Sequence, residues 1–587
     1  MDTRVKEAHL DPVTLEVIRN ALPAISDEMA VDLQRTSYNM IIYEVRDFCT
    51  ALVLPTGELV CQNVGGVSHF IADLGVMITD AMDRYKKEGF KPGDVLISNH
   101  QRVAGQHLNN VCIHMPYFYE GELLMWSIVR AHWIDVGGTS TGFGAGLTVA
   151  DPWLEGLQLD QLKIYRGGEL DEPLYRLIKD NIRYPESSLG DMKSQMSACS
   201  LGNRRLDELF DKYGRDTVMA AIKQIFDETE QKCRNVVTTF PDGVYEAESM
   251  LDDDGVKHGE QVRIHAKVTV AKGRMTIDLS GCSDERKSAM NSRTLAAPRI
   301  AYKALTAPND PVNEGSFRAL ECIIPEGNMM MARYPAPMAH WSVVLPMVVD
   351  TITAALAQAI PDRVPAAHFG LMGNNGVFFG QHPKTKRRFV ISCSGGGGWG
   401  GRPFEDGESA AVTVCQGDVR IASIEEMEMK SPLLVYTRGL RRDSGGPGRH
   451  RGGLGSTLHI KNLAEGRWNM ERQRRQKCPP WGLNGGLPGE AGKKMLKKAG
   501  EGAFVDVDLS RHPVPSDCEV IINAGSGGGW GDPLEREPER VLWDVIEGLV
   551  SEESARRDYG VVIADGDRLD AVATTALRRE MAASRAE

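Results

Sequence analysis

The sequence predicts an α+β fold: a mixed α/β N-terminal region, a β-rich region threaded by glycine loops, and a helical C-terminus. Three observations carry this. Before residue 240, segments with helical spacing interleave with short strand-like runs. From Val262 onward, apolar and polar residues alternate strictly. The 61 glycines gather in clusters, at Gly395–Gly401, Gly445–Gly455, Gly482–Gly489 and Gly525–Gly531. The expected divisions are 11–240 for the mixed region, 241–535 for the β-rich region and 536–587 for the helical end. At 587 residues the chain is too long for one ordinary domain.

Taken in order, Asp11-Pro12 opens a helix, and Leu15, Ile18, Leu22 and Ile25 recur at its period. Asp47–Leu54 and Glu58–Cys61 read as a hairpin turned at Pro55-Thr56-Gly57. Ile71–Tyr85 is helical; Asp94–Asn99, Cys112–Tyr119 and Leu123–Ala131 are strands. Leu206–Thr238 reads as one helix. Val262–Val270 and Met275–Leu279 form a hairpin around Lys272-Gly273. From there to about Ala524 the pattern is strands joined by glycine turns, apart from a helix at Pro346–Ala359. Pro538–Tyr559 and the tail after Asp565 are helical.

A net charge of −12 argues against a nucleic-acid surface, which needs a basic footprint. No apolar run is long enough to span a membrane. The 11 cysteines show no CxxC spacing, and Met1–Leu10 has no apolar core of a signal peptide, so a reduced cytoplasmic protein is expected. No GxxxxGK[ST] occurs, and Gly395–Gly398 leads into Trp399 rather than a helix, so nucleotide binding has no sequence support. Cys393 is a conceivable nucleophile, but an inert buried thiol is the commoner state.

Reactive side chains concentrate between residues 47 and 135. His69, His100, His107, His114 and His132, five of 14 histidines, fall there together with Asp47. Two histidines and a carboxylate on strand ends or loops can bind a divalent ion, although no HExxH or HxxxH spacing supports it. Histidines held by local hydrogen bonds are the alternative.

Asp47 lies in one of several blocks along the chain that resemble the hydantoinase B/oxoprolinase family. The blocks are Pro12-Val13-Thr14-Leu15-Glu16-Val17-Ile18, Arg46-Asp47-Phe48, Gly93-Asp94-Val95 and Asn313-Glu314-Gly315-Ser316-Phe317-Arg318. Gly398-Trp399-Gly400-Gly401-Arg402-Pro403, Asp443-Ser444-Gly445-Gly446-Pro447-Gly448 and Gly527-Gly528-Gly529-Trp530-Gly531-Asp532-Pro533 follow, and the likeness runs from about Asp11 to Val562. The resemblance implies a B-type chain that works with an A-type chain of actin-like ATPase fold in a hetero-oligomer. The partner binds ATP and activates a small-molecule substrate, and the B-type chain completes hydrolysis or carboxylation at a metal site. Carried over, the implied catalytic residues are Asp47, His107 and His132, and the implied metal ligands are Asp47, His107, Asn110 and His132. The implied ion is Zn or Mn. The family carries Asp where this chain has Asn110, which removes a negative charge and weakens the implied site; His100 and His114 are substitutes to consider. Three functions remain open at this point: hydrolysis of a hydantoin, lactam or oxoproline-like cyclic amide, carboxylation of a ketone such as acetone or acetophenone, and a scaffold that supports its partner.

Overall fold

The structure, a computed structural model, describes residues 10–141, 146–370, 375–564 and 568–586. Most of Met1–Leu10, expected to lack a signal peptide's apolar core, therefore lies outside the described residues.

The N-terminal region is built on a seven-stranded sheet with the order β2-β1-β5-β4-β3-β6-β7. Its strands are β1 (Phe48–Val53), β2 (Leu59–Gln62), β3 (Val95–Ser98), β4 (Asn110–Tyr119), β5 (Glu122–His132), β6 (Leu162–Arg166) and β7 (Glu169–Leu170). One face packs on helices Pro12–Thr36 and Pro185–Tyr213. Asp11 caps the first of these, its Oδ2 accepting the Thr14 N–H at 3.0 Å. That helix then buries Leu15, Ile18, Leu22, Ile25, Met29 and Leu33. The other face carries Cys49, Ala51, Val53, Trp126 and Ile128 into a core shared with residues beyond 240. Both faces being covered, β1 is buried along its whole length rather than on alternate residues.

The helix expected over Leu206–Thr238 is two helices, Pro185–Tyr213 and Arg215–Val237, broken at Gly214, whose φ of 78° no other residue type adopts easily.

Next comes a four-stranded sheet of order β11-β10-β9-β8, made of β8 (Gly243–Leu251), β9 (Val262–Ala271), β10 (Arg274–Asp278) and β11 (Leu320–Ile323). The alternation along β9 turns Val262, Ile264, Ala266, Val268 and Val270 onto helix Leu345–Ala357. Two further sheets face each other. The first has the order β13-β12-β16-β19, from β12 (Asn375–Gln381), β13 (Arg388–Ser394), β16 (Gly466–Met470) and β19 (Leu509–Val514). The second has the order β14-β15-β20-β17-β18, from β14 (Leu433–Leu440), β15 (Ser456–Asn462), β17 (Lys493–Lys497), β18 (Val505–Asp506) and β20 (Glu519–Asn523). Phe378, Ile391, Trp468, Leu458, Ile460 and Ile522 fill the space between them, and Met40 and Ile41 from the N-terminal region join that core. Helices Pro538–Ile546, Glu552–Tyr559 and Ala571–Ala586 close the chain. The fold class is α+β, with the helical end expected. Among the described residues, no helix is long and apolar enough to cross a membrane.

Glycine runs inside a folded chain serve tight turns or close backbone approach, and here the clusters serve the second. They are extended segments laid side by side and joined by backbone hydrogen bonds. The Gly398 N–H donates to Gly525 O at 3.0 Å, Gly401 to Gly528 O at 2.8 Å, Gly446 to Gly527 O at 2.8 Å and Gly453 to Trp399 O at 2.8 Å. None of these glycines has positive φ, so their need for glycine is one of space. A Cβ on Gly398 would lie 1.7 Å from Gly453 O, and one on Gly527 would lie 1.9 Å from Trp399 O. Backbones this close exclude any side chain, as at the crowded axis of a collagen triple helix.

Candidate functional site

Sheet register explains how residues far apart in sequence meet. β1 pairs with β5, placing Phe48 beside Ala131, and the His132 N–H donates to Asp47 O at 3.1 Å. β5 pairs with β4, placing His132 directly across from Asn110. Asp47, His132 and Asn110 thus form a row across three neighbouring strands at one end of the sheet. Arg46 turns the chain into β1 with φ 62°. His107 sits in the loop leading into β4, its carbonyl accepting the Asn110 N–H at 3.2 Å.

The His107 and His132 rings lie 4.8 Å apart, centre to centre, at 89°. The loop carrying His107 is firmly held. Glu155 accepts the Leu108 N–H, and the Asn99 amide donates to Leu108 O at 2.7 Å. The Asn110 amide donates to Gln106 Oε1 at 2.8 Å, and Gln106 in turn donates to Asp73, which also accepts from Thr294 at 2.7 Å.

Electrostatically the row is set by burial. Burial raises the Asp47 carboxyl to about 7. It lowers His107 to about 4, against a contact with Asn110 that favours the charged ring. His132 and His69 are pushed down by the same cause. At neutral pH the imidazoles are therefore uncharged, the state in which they accept hydrogen bonds or bind metals.

These donors suit a divalent ion chemically. Among the described residues, buried His107 Nε2 and Asn110 Oδ1 find no full hydrogen bond. Two imidazoles sharing one ion would have ring centres about 5 Å apart, given Zn–N distances of about 2.0–2.1 Å. The arrangement is nonetheless open: among the described residues, no three His, Cys, Asp or Glu groups are gathered as a ready ion cage. Asp47, His107 and His132 are themselves three such groups, so it is their placement, and not Asn110 alone, that leaves the set short of a cage.

Asp47 and His107 reach a cavity of about 150 Å³ that also takes in His69, His340 and Trp341. Asn110 and His132 stand behind that wall rather than on it. His100 and His114 are not brought there: His114 Nε2 is 3.0 Å from Gln161 Oε1, and His100 Nδ1 accepts the Arg102 N–H. The far side of the cavity comes from the C-terminal sheets. Val390, Ser392 and Ser394 line it from alternate positions of β13, so Cys393 points into the core instead. Burial pushes the Cys393 thiol up, and it is an inert core residue. Gly395 reaches the cavity, whereas among the described residues none of 445–455 lines it, and that segment keeps a packing role.

Sequence reasoning missed Glu471 and Lys494 on this wall. A signal existed for the second. In Lys493-Lys494-Met495-Leu496, Lys494 shares phase with the core residue Leu496, an unusual place for a lysine.

A family model described as Hydantoinase B/oxoprolinase matches residues 11–533. The chain is 32% identical to the B-type component of a "Putative D-/L-hydantoinase" of Pseudomonas sp. (strain NS671), over 97% of this chain and 98% of that one. It is 29% identical to the beta chain of the Pseudomonas jessenii caprolactamase, over 97% and 99%. Among solved structures, the ATP-dependent caprolactamase from Pseudomonas jessenii superposes with a TM-score of 0.89 at 28% identity, covering 97% of this chain and all (100%) of that chain. A nucleotide-free acetone carboxylase shares the fold, with a TM-score of 0.88 at 18% identity, over 98% and 83%. Matched almost end to end by the family model and by these relatives, the chain belongs to the hydantoinase B/oxoprolinase family.

Proposed function

We propose that this chain is the B-type catalytic subunit of a two-component ATP-dependent enzyme, and that it completes the hydrolysis of a cyclic amide activated by an A-type, actin-fold ATPase partner. The observation that carries this reading is the shared cavity, where Asp47 and His107 face groups from the C-terminal sheets. The full-length likeness to hydantoinase and caprolactamase components supplies the reaction class. The division of labour is chemically sensible, because phosphorylating an amide oxygen makes the attached carbon a better electrophile for water, after which the ring C–N bond breaks and the nitrogen leaves as the amine.

The chain's own residues have definable tasks. His107, neutral at pH 7, accepts a proton or a hydrogen bond from water or substrate, and His132, also neutral, backs it from behind the cavity wall. Asp47, with its carboxyl near 7, exists in both protonation states under working conditions. If a Zn or Mn ion is held, the ligands are His107, His132, Asp47 and more weakly Asn110, and the ion supplies Lewis-acid polarisation of the attacked group.

Carboxylation of a ketone is the second reading. Asn110 in place of an acid favours it by making a tightly held hydrolytic ion harder to keep, and the acetone carboxylase fold accommodates this chain.

The test is co-production with an A-type chain, followed by ATP-dependent turnover of lactams, hydantoins and ketones with and without bicarbonate. Amide opening that requires both chains and ATP is expected. Turnover of ketones with bicarbonate alone would select the second reading, and no ATP-dependent turnover of any of these would sink both. Asn110→Asp should raise Zn or Mn retained after dialysis at least about threefold, measured by elemental analysis, because it restores a charged oxygen donor. Unchanged retention would show that Asn110 is not a ligand position.

A further inference from the structure

Asp73, Gln106 and Asn110 are almost wholly buried, and hydrogen bonds join them in a line that ends at the candidate site. Asp73 stands just before helix Leu74–Tyr85. Its Oδ1 accepts the Thr294 hydroxyl at 2.7 Å, and its Oδ2 accepts the Gln106 amide N–H. Gln106 Oε1 in turn accepts from Asn110 Nδ2 at 2.8 Å. Arg130 lies one rung below the row of Asp47, His132 and Asn110, on the same face of the sheet, with Cys49 and Cys112 on either side. Its Nη1 is 3.6 Å from Asp73 Oδ2, so the acid of the line has a cation beside it.

The direction of this line follows from chemistry rather than from shape. An ionised carboxylate can only accept hydrogen bonds, while an amide carries an acceptor on one arm of its fork and a donor on the other. Burial is the largest influence on Asp73 and raises it to about 6, against Arg130, Thr294 and Gln106, so it is a carboxylate at neutral pH. Gln106 must therefore turn its NH2 to Asp73 and its oxygen to Asn110. Asn110 must in turn give its NH2 to Gln106, which leaves Asn110 Oδ1 for the site. The contact between Asn110 and His107 favours the charged ring, as a facing oxygen does and a facing NH2 does not.

We propose that Asp73 and Gln106 are positioning residues that fix the sense of the Asn110 amide, and that the line from Asp73 to Asn110 admits one carboxylate. The acid sits at 73 and the amide at 110, and the two can be exchanged only together. With Asn110→Asp alone, Gln106 Oε1 would face a carboxylate oxygen. Turning the Gln106 amide over moves the same clash to Asp73. With Asp73→Asn as well, the line runs in reverse with every donor matched: residue 73 donates to Gln106, and Gln106 donates to residue 110. This rests on the function proposed above in one respect, that the oxygen at 110 serves a reaction; the line itself does not.

Thermal melting of the purified full-length chain tests the line without turnover. Asn110→Asp should lower the melting temperature by at least about 2 °C in the wild-type background, because it sets two acceptors face to face in a buried place. In the Asp73→Asn background the same substitution should instead raise it or leave it unchanged. Both exchanges keep the size and shape of the side chain, which suits them to a packed interior. Plain repulsion between two acids would also give this pattern, and Gln106→Met, or Gln106→Leu if that does not fold, separates the two causes. With the middle amide gone, the loss caused by Asn110→Asp should shrink by at least about half. An equal loss from Asn110→Asp in both Asp73 backgrounds, or a loss undiminished without Gln106, overturns the proposal. In the two-chain complex, Asp73→Asn should cut kcat at least about tenfold, the scale of losing a group that orients a site residue, and adding Asn110→Asp should recover most of that loss. A kcat untouched by Asp73→Asn, or not recovered by the second exchange, overturns the positioning role. A wild-type complex without ATP-dependent turnover would refute the functional reading, while melting would still decide on the line.

Discussion

Replacing His107 by Ala should cut ATP-dependent turnover of the two-chain enzyme by at least about a thousandfold. Loss of a positioned acid–base group costs about 10²–10⁴-fold. His107 also faces the cavity with its Nε2 free of a full hydrogen bond, so its removal takes away a group poised for ligand rather than for structure. The loop around it is held by Glu155, Asn99 and Gln106 through groups that the substitution leaves in place. Thermal stability should therefore fall only modestly, by the packing lost against Trp341 and His132. A His107→Ala enzyme with more than about a tenth of wild-type turnover, well above the loss expected for an acid–base group, would remove His107 from the site.

The second large effect is structural. Gly398→Ala should destabilise the fold by about 3 kcal/mol or more, or prevent soluble expression. The added Cβ would fall 1.7 Å from Gly453 O and 2.7 Å from Gly527 N, both backbone atoms that cannot rotate away. Relief requires segments 395–401 and 445–455 to separate, which breaks the hydrogen bonds between them. Chemical unfolding of the purified variant reads the effect directly; a midpoint unchanged from wild type would show that the segments are not packed backbone to backbone. As a contrast, Gly502→Ala meets nothing within 4 Å and should be nearly silent.

Local pattern makes much of this legible. The hairpin at 48–62 and the strands β3 to β5 follow from short strand-like runs bounded by turn residues, and β9 from period-two alternation, and all form where expected within a few residues. Asp47 is recognisable from the family block around it, and His107, Asn110 and His132 from the ligand pattern that the resemblance implies. Their proximity is not, because it depends on β1 pairing with β5 and β5 with β4, a register set by non-local contacts. Lys494 is marked in the sequence only by its strand phase with Leu496, a signal one residue wide. The glycine clusters resemble turns because glycine serves turns and close approach alike. Only the positions of Gly453 and Gly527 against Gly398 and Trp399 separate the two uses.

The glycine segments also bear on how the chain assembles. Segment 525–531 is the last of them to leave the ribosome, yet Gly398, Gly401 and Gly446 all donate to carbonyls within it. Until it arrives, those amides have water as their partner, and segments 395–401 and 445–455 have only each other to lie against. The strap therefore closes loops of about 80 to 130 residues in a late step, and such long-range closures slow folding. Gly395, at the start of the first segment, is part of the cavity wall. The N-terminal sheet can thus position Asp47 and His132 early in synthesis, but the chamber around them is completed only when the chain is nearly finished.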